Sequence, residues 1–208
     1  MAHSILTKSQ RNALEIITGT ELARMFYLAG GTALAIQLGH RYSEDFDFFS
    51  KKSFQTKTIL TVLKDRGTIN VVGEAPNTLH LLFNSIKASF FQYEYRLLSP
   101  LIIKENGLRI ASIPDIAAMK IAAICSRGSK KDFIDLYVVC TQCFPLPKAI
   151  EYFNKKIKPV KYERYHILRS LNYFDDAEEQ DTPKMIDKIT WKEVKSYFEE
   201  EVRMLTGT

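Results

Sequence analysis

Between Tyr27 and Ser50 the chain reads YLAGGTALAIQLGHRYSEDFDFFS, and this stretch constrains the fold more than any other. Gly30 and Gly31 lack a Cβ, so the backbone can turn tightly there and approach a ligand closely. Thr32 stands where a helix should open, and free N–H groups with the helix dipole favour an anion such as phosphate at that point. Asp45 and Asp47 alternate with phenylalanines at period two, which places both carboxylates on one face of a strand. Phe46, Phe48 and Phe49 are expected to bury the other face. Two carboxylates side by side repel one another, and Mg²⁺, which prefers oxygen ligands, neutralises such a pair well. Arg41 is placed to contact a phosphate. A lone Gly-Gly is usually a turn and a lone D-x-D usually a solvated strand. Joined by a short helix, they read as two walls of one site for a ligand that carries phosphates and metal.

The flanking pattern is that of a mixed α+β chain. Residues 7–25 have a helical rhythm, with Leu14, Ile17, Leu22 and Met25 among polar positions. FYLAG reads as a short buried strand and residues 55–66 as a helix. TINVVGE, TLHLLFN and KASFFQYEY follow as β-rich runs separated by turn residues, and GLRIAS as a last strand. From there the character changes. SIPDIAAMKIAAICSR opens on a Ser112/Asp115 capping box and reads as a helix, KKDFIDLYVVCTQC as a second, and the remainder as helical throughout. The division expected is a core at residues 1–110 and a helical region at 111–208 that contributes to the active-site cleft.

The helical region carries a second charged group. Lys120 lies on a helix that is apolar around it, where it either snorkels to the edge or meets a phosphate in a cleft. Asp132 and Asp135, three apart, share a face of the next helix, and Lys120 could also pair with one of them as an internal tie.

Taken together, AGGTAL, RYSEDFDFF and PDIAAMKIAAICSRGSKKDFIDLY resemble the nucleotidyltransferases of the polymerase-beta superfamily, and more closely the AbiEii/MenT-like toxins of bacterial toxin–antitoxin systems. The resemblance covers roughly residues 25–140. It implies a nucleotidyltransferase-type mixed sheet flanked by helices, and transfer of a nucleoside monophosphate from an NTP to an acceptor hydroxyl with release of pyrophosphate. Asp45 and Asp47 would hold Mg²⁺, with Gly30, Gly31, Thr32 and Arg41 at the nucleotide. Lys120 would bind the nucleotide phosphates, while Asp132 and Asp135 would orient that lysine or the nucleotide. The acceptor implied is the 3′ end of tRNA, and the partner an antitoxin. A third carboxylate occurs in many members of the superfamily; the one candidate here is Glu94. The alternatives are a transferase acting on a protein or small-molecule hydroxyl, and a non-catalytic nucleotide- or RNA-binding module of the same fold.

Composition narrows the remaining classes. A chain of 208 residues with 46% hydrophobic and 25% charged residues is an ordinary globular protein. No apolar run reaches the roughly 20 residues of a membrane span, and the N-terminus lacks a signal peptide's apolar core, so a cytoplasmic location is expected. Three cysteines argue against a disulfide framework; Cys140 and Cys143 read as small core residues. Charge is uneven, at +3 over residues 1–100, +7 over 101–170 and −5 over the last 38. The basic, aromatic stretch NKKIKPVKYERYHILR either flanks an RNA groove or is a solvated helix with tyrosine on its core face. The acidic run at 175–181 reads as a solvated loop, His40 as a loop residue, and Trp191 as the anchor of the last helix.

Overall fold

The computed structural model describes residues 5–157 and 163–207, so part of the basic stretch at 154–169 lies outside the described residues. The chain divides into two compact units. One comprises the described residues to Gln37 with Tyr42–Ser112; the other comprises Leu38–Arg41 with the described residues from Ile113 onward.

The first unit runs α1 (Lys8–Thr18), α2 (Leu22–Met25), β1 (Tyr27–Ala29), α3 (Gly30–Leu38, whose last residue belongs to the second unit), β2 (Phe46–Ser50), α4 (Thr56–Lys64), β3 (Ile69–Ala75), β4 (Thr78–Phe83), β5 (Ile86–Gln92), β6 (Ile102–Ile103) and β7 (Arg109–Ile110). Among the described residues the strands form one seven-stranded mixed sheet in the order β3-β4-β5-β2-β1-β7-β6. The α+β class expected from sequence is therefore the one found. The chain starts α1 with a Thr7/Gln10 capping box, which satisfies orphan N–H groups at both ends of the motif. Asn77, Asn84 and Ser85 take positive φ in the hairpin turns on either side of β4, as tight turns require.

Period-two alternation divides the central strands into two faces. Phe46, Phe48, Leu79, Leu81, Phe83, Ala88 and Phe90 are buried on one, with Phe48 stacked on Phe90 at 5.0 Å and Phe26 edge-on to Phe90 at 5.1 Å. Burying each such ring contributes roughly 1.5–3 kcal/mol. The other face carries Asp47, Phe49, His80, Ser89 and Phe91, all half-buried. Phe49 therefore departs from the expectation that it backs the strand beside Phe46 and Phe48. Strand parity puts it with Asp47, and the register pairs Asp47 with Ser89 and Phe49 with Phe91.

The second unit holds α5 (Ile113–Arg127), α6 (Lys130–Gln142), α7 (Leu146–Lys156), α8 (Arg164–Leu171), α9 (Asp175–Glu178) and α10 (Trp191–Thr206). Its aromatic centre is Phe133, with the rings of Phe174, Phe198 and Trp191 at 5.2, 5.6 and 6.0 Å. Trp191 also donates its Nε1–H to Glu178, so it ties α10 to α9. The acidic run is one helical turn where a solvated loop was expected. Ala177 is buried there, and Glu178 is engaged by Trp191 and Lys195. Tyr165 is 73% exposed, so the core face of α8 is supplied by Ile167 and Leu168 instead. Cys140 is buried but Cys143, at the C-cap of α6, is exposed, so only one of the pair is a core residue. No helix among the described residues is long and apolar enough to cross a membrane.

Candidate active site

In the first unit, the two halves of the opening motif meet through the sheet. β1 pairs antiparallel with β2, which places Ala29 opposite Asp47. The next residue, Gly30, has φ +70°, and a Cβ built there would lie 2.8 Å from Asp47 Oδ2. Only glycine fits, because both the left-handed backbone and the carboxylate exclude a side chain. Gly31 follows in the first turn of α3, whose leading N–H groups have no intrahelical acceptor.

Asp45 precedes β2, and the segment carrying it is held by neighbours. The buried Thr32 hydroxyl hydrogen-bonds Ser43 Oγ at 2.6 Å and donates to the Asp45 carbonyl. Gln10, from α1, donates its Nε2–H to the Ser43 carbonyl at 2.6 Å and the Glu44 carbonyl at 3.2 Å. The Thr32 side chain is thus committed to positioning Asp45. The Oδ1 atom of Asp45 is buried without a hydrogen-bond partner, and the Lys87 ammonium stands 3.9 Å from it. An orphaned carboxylate oxygen is costly, and a hard cation would satisfy it. The pair of aspartates therefore fits Mg²⁺, which takes one or two carboxylates and completes its shell with substrate phosphate and water. Ser89 is registered beside Asp47. Glu94 lies beyond the end of β5, exposed and hydrogen-bonded by Gln92, and no cluster of three candidate metal ligands occurs among the described residues.

In the second unit, Lys120, Asp132, Asp135 and Arg41 form one buried charge network. Lys120 Nζ lies 2.8 Å from Asp132 Oδ1 and 2.6 Å from Asp135 Oδ2. Arg41 grips Asp135 through Nε at 2.7 Å and Nη2 at 2.9 Å, and His40 Nε2 is 2.8 Å from the same carboxylate. Asp132 also accepts from Ser129 and Arg127. Burial alone would raise the Asp135 carboxyl, but Lys120 and Arg41 beside it, with hydrogen bonds from Arg41 and His40, hold it well below the usual carboxylate range. Asp132 follows the same balance: burial opposes, Lys120 and Arg127 prevail, and it falls to about 2. For Lys120, burial favours loss of the proton, yet the two aspartates raise its pKa, so the ammonium stays charged. His40 is a loop residue, as expected, and is fully buried, with Nδ1 lacking a hydrogen-bond partner. Asp115 accepts a hydrogen bond from Lys156, whose Nζ reaches its Oδ1 at 2.6 Å.

The second unit also holds a cleft of about 330 Å³ whose lining includes Arg127, His166, Arg169, Tyr173 and Asp176.

With a glycine turn pressed against Asp47 on the half-open face of an α+β sheet, the chain has the class of fold and the family that make it a nucleotidyltransferase. The family model described as nucleotidyl transferase AbiEii toxin, type IV toxin–antitoxin system, matches residues 13–98 and 85–204, and the chain belongs to that family. An uncharacterized protein of Aquifex aeolicus (strain VF5) is 38% identical over 204 residues, covering 95% of this chain and 96% of the relative. In fold, the chain is similar to MenT4, a nucleotidyltransferase toxin from Mycobacterium tuberculosis H37Rv, with TM-score 0.61 and 14% identity over 96% of this chain and 82% of that one. It is also similar to an H. pylori protein assigned as a nucleotidyltransferase, with TM-score 0.57 and 19% identity over 96% and 92% of the two chains. Family membership implies an NTP as substrate and an antitoxin as partner.

Several contacts at the candidate site escaped sequence reasoning. Ser43 lies within RYSEDFDFF but is given no role there, Gln10 reads only as part of a helix start, and His40 gives no signal beyond its place beside Arg41. The link from Arg41 to Asp135 spans 94 residues, which no local pattern reports.

Proposed function

We propose that this protein transfers the nucleoside monophosphate of an NTP to the 3′ end of tRNA in a Mg²⁺-dependent reaction, releasing pyrophosphate, as the toxin of a toxin–antitoxin system. The observation that carries the reading is the approach of Gly30 to Asp47 beside the orphaned Oδ1 of Asp45. Asp45 and Asp47 would hold Mg²⁺, whose charge would offset that of the triphosphate and of the reacting oxygens. The backbone N–H groups that open α3 at Gly30 and Gly31 receive phosphate oxygens. Thr32, with Ser43 and Gln10, keeps Asp45 in line. Lys120, kept protonated by Asp132 and Asp135, ties α5 to α6 within the second unit. Arg41, bound to Asp135, fixes the segment between α3 and β2. An RNA acceptor is supported by Arg127 and Arg169, two cations beside one acid, Asp176, in the lining of the second unit's cleft, since contacts of Arg and Lys to phosphate dominate nucleic-acid affinity.

The test is incubation of purified protein with Mg²⁺, each α-labelled NTP in turn, and total bacterial tRNA, resolved on a denaturing gel. Label should enter tRNA with a preferred NTP and disappear in a folded Asp47→Ala variant. Label on the protein itself, or undiminished transfer by Asp47→Ala, would refute the assignment.

A further inference from the structure

The half-open face of the sheet carries more than the aspartates. Two residues along β2 from Asp47, and so roughly 7 Å away on the same face, stands Phe49. Its ring is stacked on Phe91 of β5 at 5.3 Å, with an interplanar angle of 28°. From this pair the aromatic row continues in both directions. His80 is edge-on to Phe91 at 5.3 Å, Tyr93 edge-on to Phe49 at 5.5 Å, and Tyr95 lies 4.9 Å from Tyr93. All five rings are half-buried, so each keeps some surface in water. The buried face of the same strands has no such rings to spare: Phe46, Phe48 and Phe90 there are almost wholly enclosed.

We propose that this aromatic row is a stacking platform for the unpaired bases at the 3′ end of the acceptor RNA, with Phe91 and Phe49 as its principal rings. The inference rests on the reading of RNA as acceptor. Three features favour that occupant. The row is continuous with the carboxylate pair along a single strand, so a chain stacked on it leads its terminal hydroxyl towards Asp47. It extends over four successive ring-to-ring steps, longer than the single base of an NTP needs. Lys87, on the same face of β5 and 69% exposed in its side chain, stands beside Asp45 as a cation for backbone phosphate. Sheets that present aromatics to single-stranded RNA stack two or three bases in this manner.

The test uses Phe91→Leu, which keeps apolar bulk and removes the π-face, with Phe91→Tyr as the conservative partner. Two RNA hairpins, one blunt and one with an unpaired 3′ tail, are titrated by fluorescence anisotropy without NTP, and KM is measured separately for tRNA and for NTP. The wild type should prefer the tailed hairpin. Phe91→Leu should lose about 5- to 150-fold in affinity for it, the range expected for loss of one base–aromatic stack. KM for tRNA should rise with it while KM for NTP stays within about twofold, and Phe91→Tyr should restore both. Labelling of tRNA by the wild type, combined with equal binding of tailed and blunt hairpins or with a KM change confined to NTP, would overturn the platform and leave the acceptor assignment standing. A wild type that neither labels nor binds RNA would overturn the acceptor assignment, and the platform with it.

Discussion

Gly30→Ala separates backbone strain from damage to the site. Gly30 has φ +70°, and an alanine Cβ would lie 2.8 Å from Asp47 Oδ2, against an ordinary contact of 3.4 Å or more. The left-handed backbone costs a non-glycine residue about 1–2 kcal/mol. The clash is relieved only if the carboxylate retreats by roughly 0.6 Å, the difference between those two distances. Misplacement of a reacting group by about 1 Å can cost about a hundredfold in rate, so transfer should fall between roughly tenfold and a hundredfold. Gly107→Ala is the matched control: its φ is +78° and a Cβ there would meet nothing within 4 Å. Both variants should melt about 2–8 °C lower, at roughly 2–4 °C per kcal/mol for a chain of this size. Only Gly30→Ala should lose activity. Thermal melting and initial rates of labelled NMP transfer measure the two effects. A Gly30→Ala enzyme with wild-type rate would refute the claim that this glycine is required to seat Asp47.

Further outcomes follow from the second unit. Lys120→Met strips Asp132 and Asp135 of a shared buried partner and should cost about 3–5 kcal/mol in urea unfolding; a loss below about 1 kcal/mol would mean that the cluster tolerates the missing charge. Asp132 is depressed from 3.8 to about 2, so its contribution of about 2 kcal/mol is complete above the unfolded pKa and lost as pH falls through about 2. The stability gap between wild type and Asp132→Asn should therefore shrink by that amount between about pH 5 and pH 2 in denaturant titrations. Burial pushes the Cys140 thiol up to about 12 and the Cys125 thiol up to about 11. A maleimide at neutral pH should accordingly label the exposed Cys143 first, read by peptide mass spectrometry, and faster modification of Cys140 would contradict its burial.

Much of the first unit was legible because its information is local. Alternation in TLHLLF and FDFF is enough to give strands and their faces, and the glycines mark the turn. The same alternation already assigned Phe49 to the aspartate face; the expectation failed by treating the phenylalanines as a group rather than by parity. β6 is two residues long, too short to carry any period. The second unit was legible as helices but not in its charges. Asp115 reads locally as a cap, yet its partner Lys156 lies 41 residues away. Arg41 reads as a phosphate ligand beside the motif, yet a carboxylate distant in sequence binds it. Lys120 and Lys156, with Asp115, Asp132 and Asp135, are buried on or beside apolar helix faces and look improbable there until each is seen with its counter-ion.

The excursion of Leu38–Arg41 into the second unit also has a consequence in time. During synthesis, β1, α3 and β2 emerge long before Asp135, which follows Arg41 by 94 residues. At roughly 5–20 residues per second that interval lasts about 5–20 s. Throughout it the ribosome has already delivered the glycines and both aspartates, while the Asp135 that holds the Arg41 guanidinium in the finished fold is still unmade. The nascent chain therefore holds its motif before it holds the clamp that secures the segment between α3 and β2. Completion of the helical half sets the earliest moment at which a finished enzyme exists.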